Sequence, residues 1–311
     1  MIVAFFERLY FNPKGFDWVV IALLSPFSFI YGGVALIKRV FTKKSLYKVP
    51  VISIGNLIVG GSGKSPFLIS LIKSLNLDKN STFIISRGYK RDSKGLVFVS
   101  KAGEILTDVS KSGDEPMLIA KSLQNSSVIV CKDRKKAVEF AIKNGAKVIF
   151  LDDGFSRVEI EKFEILLYPK EIKNPFPFPA GGWREFSFSK RFANLNLTEE
   201  RDFFREVKIK NPTSKMVLAT AIANPKRLDR WLDKRVIFRY YLSDHSNFDE
   251  KILRELLAKY QATSILTTQK DLVKMEKFNI PISLLELEIK IAPYVLEAVK
   301  KYIKDFDAKK Y

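Results

Sequence analysis

The chain has 311 residues, 47% of them apolar and 28% charged, so it is long enough for about two domains and too apolar to be disordered or collagen-like. Lys and Arg number 53 against 34 Asp and Glu, and the resulting +19 points to an anionic partner: nucleic acid, an acidic membrane surface or a phosphorylated substrate. A single cysteine, Cys131, excludes an intramolecular disulfide framework and a cysteine-based zinc site and fits a reducing cytosol, and a single histidine, His245, excludes multi-histidine metal centres.

Residues 18–37, WVVIALLSPFSFIYGGVALI, carry no charge and as a straight helix would span about 30 Å, one hydrocarbon core. Pro26 inside the run and Gly32–Gly33 near its end predict a kinked or two-piece helix. Lys38, Arg39, Lys43, Lys44 and Lys48 follow as a basic collar suited to the cytoplasmic face of an anionic membrane. A secretory signal fits poorly, because Glu7 and Asp17 precede the run and no clear small-x-small site precedes the collar. The segment reads as an interfacial membrane anchor, a buried pair of helices or a single span.

From Val49 the pattern alternates. VPVISIG, TFIIS, GLVFVS, SVIV, KVIFLDD and FEILLY read as strands, and FLISLIKSL, EPMLIAKSL and RKKAVEFAIKN as helices, the last capped by Asp133 and ended by Gly145. Strand and helix in turn predict a mostly parallel sheet covered on both faces. Residues 174–185, NPFPFPAGGWRE, have the composition of a loop, and a domain boundary is expected near residue 190. A second, smaller alternating series follows, from KMVLATAIA to the closing helix PYVLEAVKKYIKDF. The expected fold is therefore an apolar N-terminal helical membrane anchor (1–48) and two α/β/α domains. The larger N-terminal one (49–190) is a parallel sheet like that of the P-loop NTPases, and the smaller is 191–311.

Between a strand and a helix lies Gly60-Gly61-Ser62-Gly63-Lys64-Ser65. Glycines let backbone N–H groups approach phosphate oxygens, Lys64 would reach the outer phosphates, and the Ser65 hydroxyl would bind Mg²⁺. The strict pattern G-x-x-x-x-G-K-[ST] wants a glycine where this chain has Ile58, so the loop is a variant. Asp152-Asp153 end an apolar strand, where parallel sheets bind ligands, and read either as metal-binding carboxylates or as a strand-end turn. Asp114, in Gly113-Asp114-Glu115-Pro116, reads as a helix cap or as a general base. His245 follows a strand and has an acid, Asp244, beside it. Arg184 offers a phosphate clamp and Glu185 an orienting group or metal ligand, with a surface ion pair as the plainer reading; Arg87 likewise follows a strand.

In this order, Gly55-Asn56-Leu57, GGSGKSP, SRGYKR, GDEP, DDG, PAGGWRE, SDHSNF and TQKD resemble the tetraacyldisaccharide 4′-kinase family of lipid A biosynthesis, from about residue 14 to about 275. The resemblance implies two α/β domains with ATP in the cleft between them. It implies transfer of the γ-phosphoryl group to the 4′-hydroxyl of a tetraacylated glucosamine disaccharide 1-phosphate, giving lipid IVA. Carried over, Gly60, Gly61, Ser62, Gly63, Lys64 and Ser65 hold ATP, and Ser65, Asp152, Asp153 and Glu185 lie near Mg²⁺. Asp114 is the base, His245 its support, and Lys64 and Arg184 neutralise charge. Where members often continue DDG with Leu-Gln-His, this chain has Phe155-Ser156-Arg157, and it has Gln269 where they often have Glu.

The implied place is the cytoplasmic face of the bacterial inner membrane, peripheral or monotopic through the N-terminal segment, with no nucleic acid and no obligate protein partner. Two rival readings remain. A membrane-recruited P-loop ATPase switch without a lipid acceptor is one, since a phosphate loop does not name its acceptor. A guanine-specific version lacks its [NT]-K-x-D signature, because Gln269 stands at the Lys position of TQKD. A nucleic-acid-binding protein is the other, but neither zinc-finger spacing nor an RRM signature is present.

Overall fold

The computed structural model describes residues 2–60, 63–222 and 224–308. Helix α1 (Ile2–Phe11) turns into α2 (Asp17–Phe41), and the Arg8 guanidinium fixes the corner by donating to both Asp17 carboxylate oxygens at 2.9 and 2.7 Å. Of the kinked and two-piece alternatives, the two-piece one is corrected: α2 is one continuous helix of 25 residues that contains Pro26. Proline removes the N–H that would bond the Ala22 carbonyl, and the Ser25 hydroxyl donates to that oxygen instead, at 2.9 Å. One stripe of α2 is buried: Asp17, Ile21, Ser28, Gly32 and Arg39. It seats on the Pro/Gly loop, where the Ala180 N–H donates to Ser28 Oγ at 2.9 Å and the Phe186 ring lies so close that a Cβ on Gly32 would meet it at 2.7 Å. The remaining faces are exposed and apolar, including Leu23, Phe27, Ile30, Val34, Ile37 and Phe41.

The chain then builds β1 (Val51–Gly55), α3 (Lys64–Leu75), β2 (Thr82–Ser86), β3 (Val97–Lys101), β4 (Glu104–Ile105), α4 (Val109–Ser112), α5 (Asp114–Ser122), β5 (Ser127–Val130), α6 (Arg134–Lys143), β6 (Val148–Asp152), β7 (Phe163–Tyr168) and β8 (Leu195–Thr198). The eight strands form one sheet in the order β4-β3-β5-β2-β6-β1-β7-β8, parallel except for β3 and β4. β1, β2, β5 and β6 are buried at every residue, as strands covered on both faces must be, which is why they read as mainly apolar runs without alternation. Asp133 accepts from the Lys136 N–H at 3.1 Å and caps α6 as predicted.

A second sheet follows from β9 (Phe203–Lys210), β10 (Met216–Thr220), β11 (Val236–Tyr241), α7 (Glu250–Lys259), β12 (Ser264–Thr268), α8 (Gln269–Leu272) and β13 (Ile282–Ile291), with α9 (Pro293–Ala308) closing the chain. Its order is β11-β10-β12-β13-β9, with β9 antiparallel to β13. A clean division near 190 does not describe the chain. β8 extends the larger sheet beyond that point, and α9 returns to the larger core, where Val295 and Val299 pack with Ile52, Phe67 and Ile165. The backbone thus crosses twice between the units, before β9 and after β13. The crossings lie side by side, because the Ala292 N–H donates to the Asp202 carbonyl at 2.9 Å and the Tyr294 hydroxyl to the Asp202 carboxylate at 2.8 Å.

Candidate active site

A cavity of about 460 Å³ opens between the two units, at the carboxyl ends of β1, β2 and β6. β1 delivers the phosphate loop to it. Gly63, with φ +81°, ends the loop in the left-handed region, and a Cβ there would meet the Arg205 guanidinium at 2.6 Å. Lys64 and Ser65 open α3, so their side chains start at a helix N-terminus. Gly61 and Ser62 lie outside the described residues. The Lys64 ammonium donates to Asn56 Oδ1 at 3.0 Å and lies 3.5 Å from Asp153 Oδ1. Asn56 in turn donates to the Ile58 carbonyl at 2.8 Å, so it braces the loop and positions the lysine.

The Pro/Gly loop reaches the same place by pairing with the phosphate loop. The Arg184 N–H donates to the Leu57 carbonyl at 2.7 Å, and the Val59 N–H to the Gly182 carbonyl at 2.9 Å. That register delivers the Arg184 guanidinium to Asp153, 2.9 and 3.0 Å from its two carboxylate oxygens. Asp153 has φ +53°, an uncommon backbone for a non-glycine residue. Gly154 behind it permits the sharp turn, since a Cβ there would meet Ser53 Oγ at 2.5 Å. Burial pushes the Asp153 carboxyl up, but Lys64 and Arg184 outweigh it and hold it below the usual carboxylate range.

Asp152 is the opposite case. Its register partner is Ile54 of β1, which sets it beside the phosphate loop. Oδ2 accepts from the Ser86 hydroxyl at 2.9 Å, while Oδ1 is buried without a hydrogen-bond partner. Burial first, then the charges of Glu115 and Asp153, push its carboxyl up to about 7. A raised acid binds its proton more tightly folded than unfolded, so ionised Asp152 costs stability progressively between about pH 4 and pH 7. Asp152→Asn removes that cost. In metal-free urea titrations the stability of the variant relative to the parent should rise by about 2–3 kcal/mol from pH 5 to pH 8; a pH-independent difference would show that the ionised carboxylate is not penalised. Beneath Asp152 the buried Arg134 guanidinium donates to the carbonyls of Ser86, Cys131 and Asp152, tying together three strand ends.

The second unit supplies the other wall. His245 Nδ1 lies 3.0 Å from Asp114 Oδ2, and the Lys274 ammonium 2.8 Å from the same oxygen. Burial raises the Asp114 carboxyl, but the hydrogen bonds from His245 and Lys274 prevail and hold it below the usual range. His245 has φ +66° and, with Tyr89 edge-on to its ring at 5.6 Å between centroids, lines the cavity. Lys270 extends from α8 to within 3.4 Å of Asp244 and 3.9 Å of Glu115. Asp271 fixes that helix by accepting from the hydroxyls of Thr220 and Thr268 at 2.6 and 2.8 Å. Ile222, Leu228, Trp231 and Leu285 give this wall an apolar surface suited to a planar ring.

The structure thus brings together Gly60, Gly63, Lys64, Ser65, Asp152, Asp153, Arg184 and His245 around one cavity, with Arg87 on its rim. It does not bring Glu185 there. The expected metal role is not met by its placement, because both Glu185 oxygens are taken by the buried Arg39 guanidinium at 2.6 and 2.8 Å. Among the described residues no group of three or more His, Cys, Asp and Glu side chains is arranged around a common metal position. The sequence reading quoted Asn56 and Lys270 within motifs but gave them no role, and it passed over Arg205 and Arg227; Lys270, Arg205 and Arg227 line the cavity, and Asn56 positions Lys64. Burial pulls both arginines below their ordinary value. Their only sequence signal was basic charge beside apolar residues in the second unit.

The family described as tetraacyldisaccharide-1-P 4′-kinase matches this chain over residues 20–208 and 187–304. The tetraacyldisaccharide 4′-kinase of Helicobacter pylori strain HPAG1 is 45% identical over 300 residues, covering 96% of this chain and 95% of that protein. The enzyme of the same name from Aliarcobacter butzleri is 42% identical over 309 residues, covering 96% and 97%. The crystal structure of the "apo" form of LpxK from Aquifex aeolicus in complex with ATP superposes with a TM-score of 0.76 at 28% identity, covering 92% of this chain and 99% of that one.

Proposed function

We propose a working mechanism from the premise that this chain belongs to the tetraacyldisaccharide 4′-kinase family. It is a lipid kinase that uses ATP to phosphorylate the 4′-hydroxyl of tetraacyldisaccharide 1-phosphate. The observation that carries the mechanism is the meeting of Lys64, Arg184 and Asp153 with the His245–Asp114 pair around one cavity.

In this reading the phosphate loop receives the triphosphate at the N-terminus of α3, and the apolar wall beside Trp231 takes the base. Lys64 and Arg184 leave Asp153 in part and neutralise phosphate oxygens. His245 takes the 4′-hydroxyl proton at Nε2, which now lies 3.5 Å from Asp244 Oδ2 and turns to the acceptor instead, while Asp114 at Nδ1 stabilises the imidazolium that forms. This exchanges the roles expected from sequence, in which Asp114 was the base and His245 its support. The support for the exchange is that His245 is among the residues lining the cavity and Asp114 is not.

The donors present fit Mg²⁺. It is a hard cation that takes one or two carboxylates plus phosphates and water, and the buried, unpartnered Oδ1 of Asp152 beside Ser65 and Asp153 offers that set. Ser65, Asp152 and Asp153 would hold the ion, and the chemistry it would supply there is neutralisation of phosphate charge.

The exposed apolar faces of α2, with its basic collar, support a monotopic seat in the cytoplasmic face of the inner membrane, where an acylated phosphodisaccharide resides. The docked stripe, from Asp17 to Arg39, favours lying in the interface over crossing it.

The test is transfer of label from γ-labelled ATP to purified tetraacyldisaccharide 1-phosphate in detergent, with flotation on anionic vesicles alongside. Label in the lipid supports the kinase, whereas ATP consumed with no label in the lipid would leave the ATPase switch.

A further inference from the structure

Arg39 is the most deeply engaged cation of the membrane-facing helix, yet no step above uses it. Its Nε and one terminal nitrogen grip the Glu185 carboxylate at 2.8 and 2.6 Å, and the same terminal nitrogen donates to the Phe155 carbonyl at 3.0 Å. The guanidinium also stacks 4.0 Å from the centre of the Phe155 ring. Both side chains of the pair are more than nine-tenths buried. Glu185 directly follows Arg184, and Phe155 stands two residues after Asp153. Arg39 therefore clasps from behind the two turns whose front sides meet as the Asp153–Arg184 pair. The planar fork can hold a carboxylate and a carbonyl together, whereas an ammonium is a point charge that cannot reproduce the bidentate grip.

We propose that Arg39 is a positioning residue for phosphoryl transfer: through Glu185 and the Phe155 carbonyl it sets the distance between Asp153 and Arg184, and so ties the geometry of the site to the seating of α2. The inference rests on the kinase reading above. It also assigns Glu185 a purpose other than metal binding. Small displacements of positioning groups cost large factors in rate, of order 10²-fold for about 1 Å.

The experiment compares the full-length parent with Arg39→Lys and Glu185→Gln in the lipid-labelling assay. Thermal unfolding and flotation on anionic vesicles are measured in parallel. Both variants are expected to lose about 10- to 100-fold in kcat while KM for ATP changes by less than about 3-fold, with vesicle binding retained. Arg39→Ala is expected to regain activity when methylguanidine is added at millimolar concentration, which general damage to the fold would not allow. An unchanged kcat in Glu185→Gln would overturn the proposal, as would two variants that lose vesicle binding while keeping the parent's kcat in the detergent assay. If Arg39→Lys fails to fold, Glu185→Gln decides alone. If the parent itself leaves the lipid unlabelled, it is the kinase reading that fails.

Discussion

Lys64→Ala should lower kcat for lipid phosphorylation by about 10³-fold or more, roughly 4 kcal/mol of lost transition-state stabilisation. Lys64 is held for this task before nucleotide arrives. Asn56 accepts from its ammonium at 3.0 Å and Asp153 balances its charge at 3.5 Å, so little reorganisation is needed when phosphate oxygens replace Asp153. Alanine leaves Arg184 to balance Asp153 alone, and the fold survives because the Lys64 side chain belongs to no apolar core. The loss should appear equally in kcat and kcat/KM, the signature of an interaction made in the transition state. Single-turnover labelling with saturating ATP checks this, and a rise in KM with kcat intact would mean that the lysine only binds nucleotide. Asn56→Ala should reproduce a smaller part of the loss, because it releases the lysine without removing it.

His245→Ala and Asp114→Asn should each lower kcat by about 10²- to 10³-fold, and the double variant should be little worse than the poorer single one. A base and the carboxylate that orients it act as one unit, so their losses do not add. Asp114→Asn is preferable to alanine, because alanine would strand the buried Lys274 ammonium that lies 2.8 Å from Asp114. Full additivity in the double variant would separate the two residues and return the base to Asp114 or to water. The pair also has a structural share. Its depressed carboxyl contributes stability that is fully present above the usual aspartate range near pH 3.9 and is lost only as pH falls through its lower folded value. Contact between the units at this point should therefore survive mild acid and fail only in strong acid.

Much of the larger sheet was legible because strands buried on both faces are apolar at most positions, and β2, β5 and β7 fall where TFIIS, SVIV and FEILLY do. The phosphate-loop lysine and the Asp152–Asp153 pair were legible because they stand at strand ends, where chain order alone sets their place. β9 was passed over because its outer face carries Glu206, Lys208 and Lys210 and Arg205 interrupts its inner face, so FFREVKIK lacks an apolar run. α9 was read as a helix, but its amphipathic pattern does not say which core it meets. The remaining gaps are long-range pairings. His245 and Asp114 stand 131 positions apart, and Arg39 and Glu185 stand 146 apart. A glutamate that binds metal and one that binds a buried arginine have the same letter and the same setting in sequence, and only the partner separates them.

The side-by-side crossings at Asp202 and Ala292 make a spine at the β8 edge of the larger sheet. At the other end, where α5 packs on β3 and β5, ion pairs from Asp114 to Lys274 and from Lys121 to Glu276 fasten the units like the clasp of a book. Two bodies joined by two adjacent strands of chain rotate about the line through both and do not swivel. Rotation about that line is the opening the two crossings leave, and it would part the clasp first. One inter-label distance across the clasp, measured with and without nucleotide, would test for that opening.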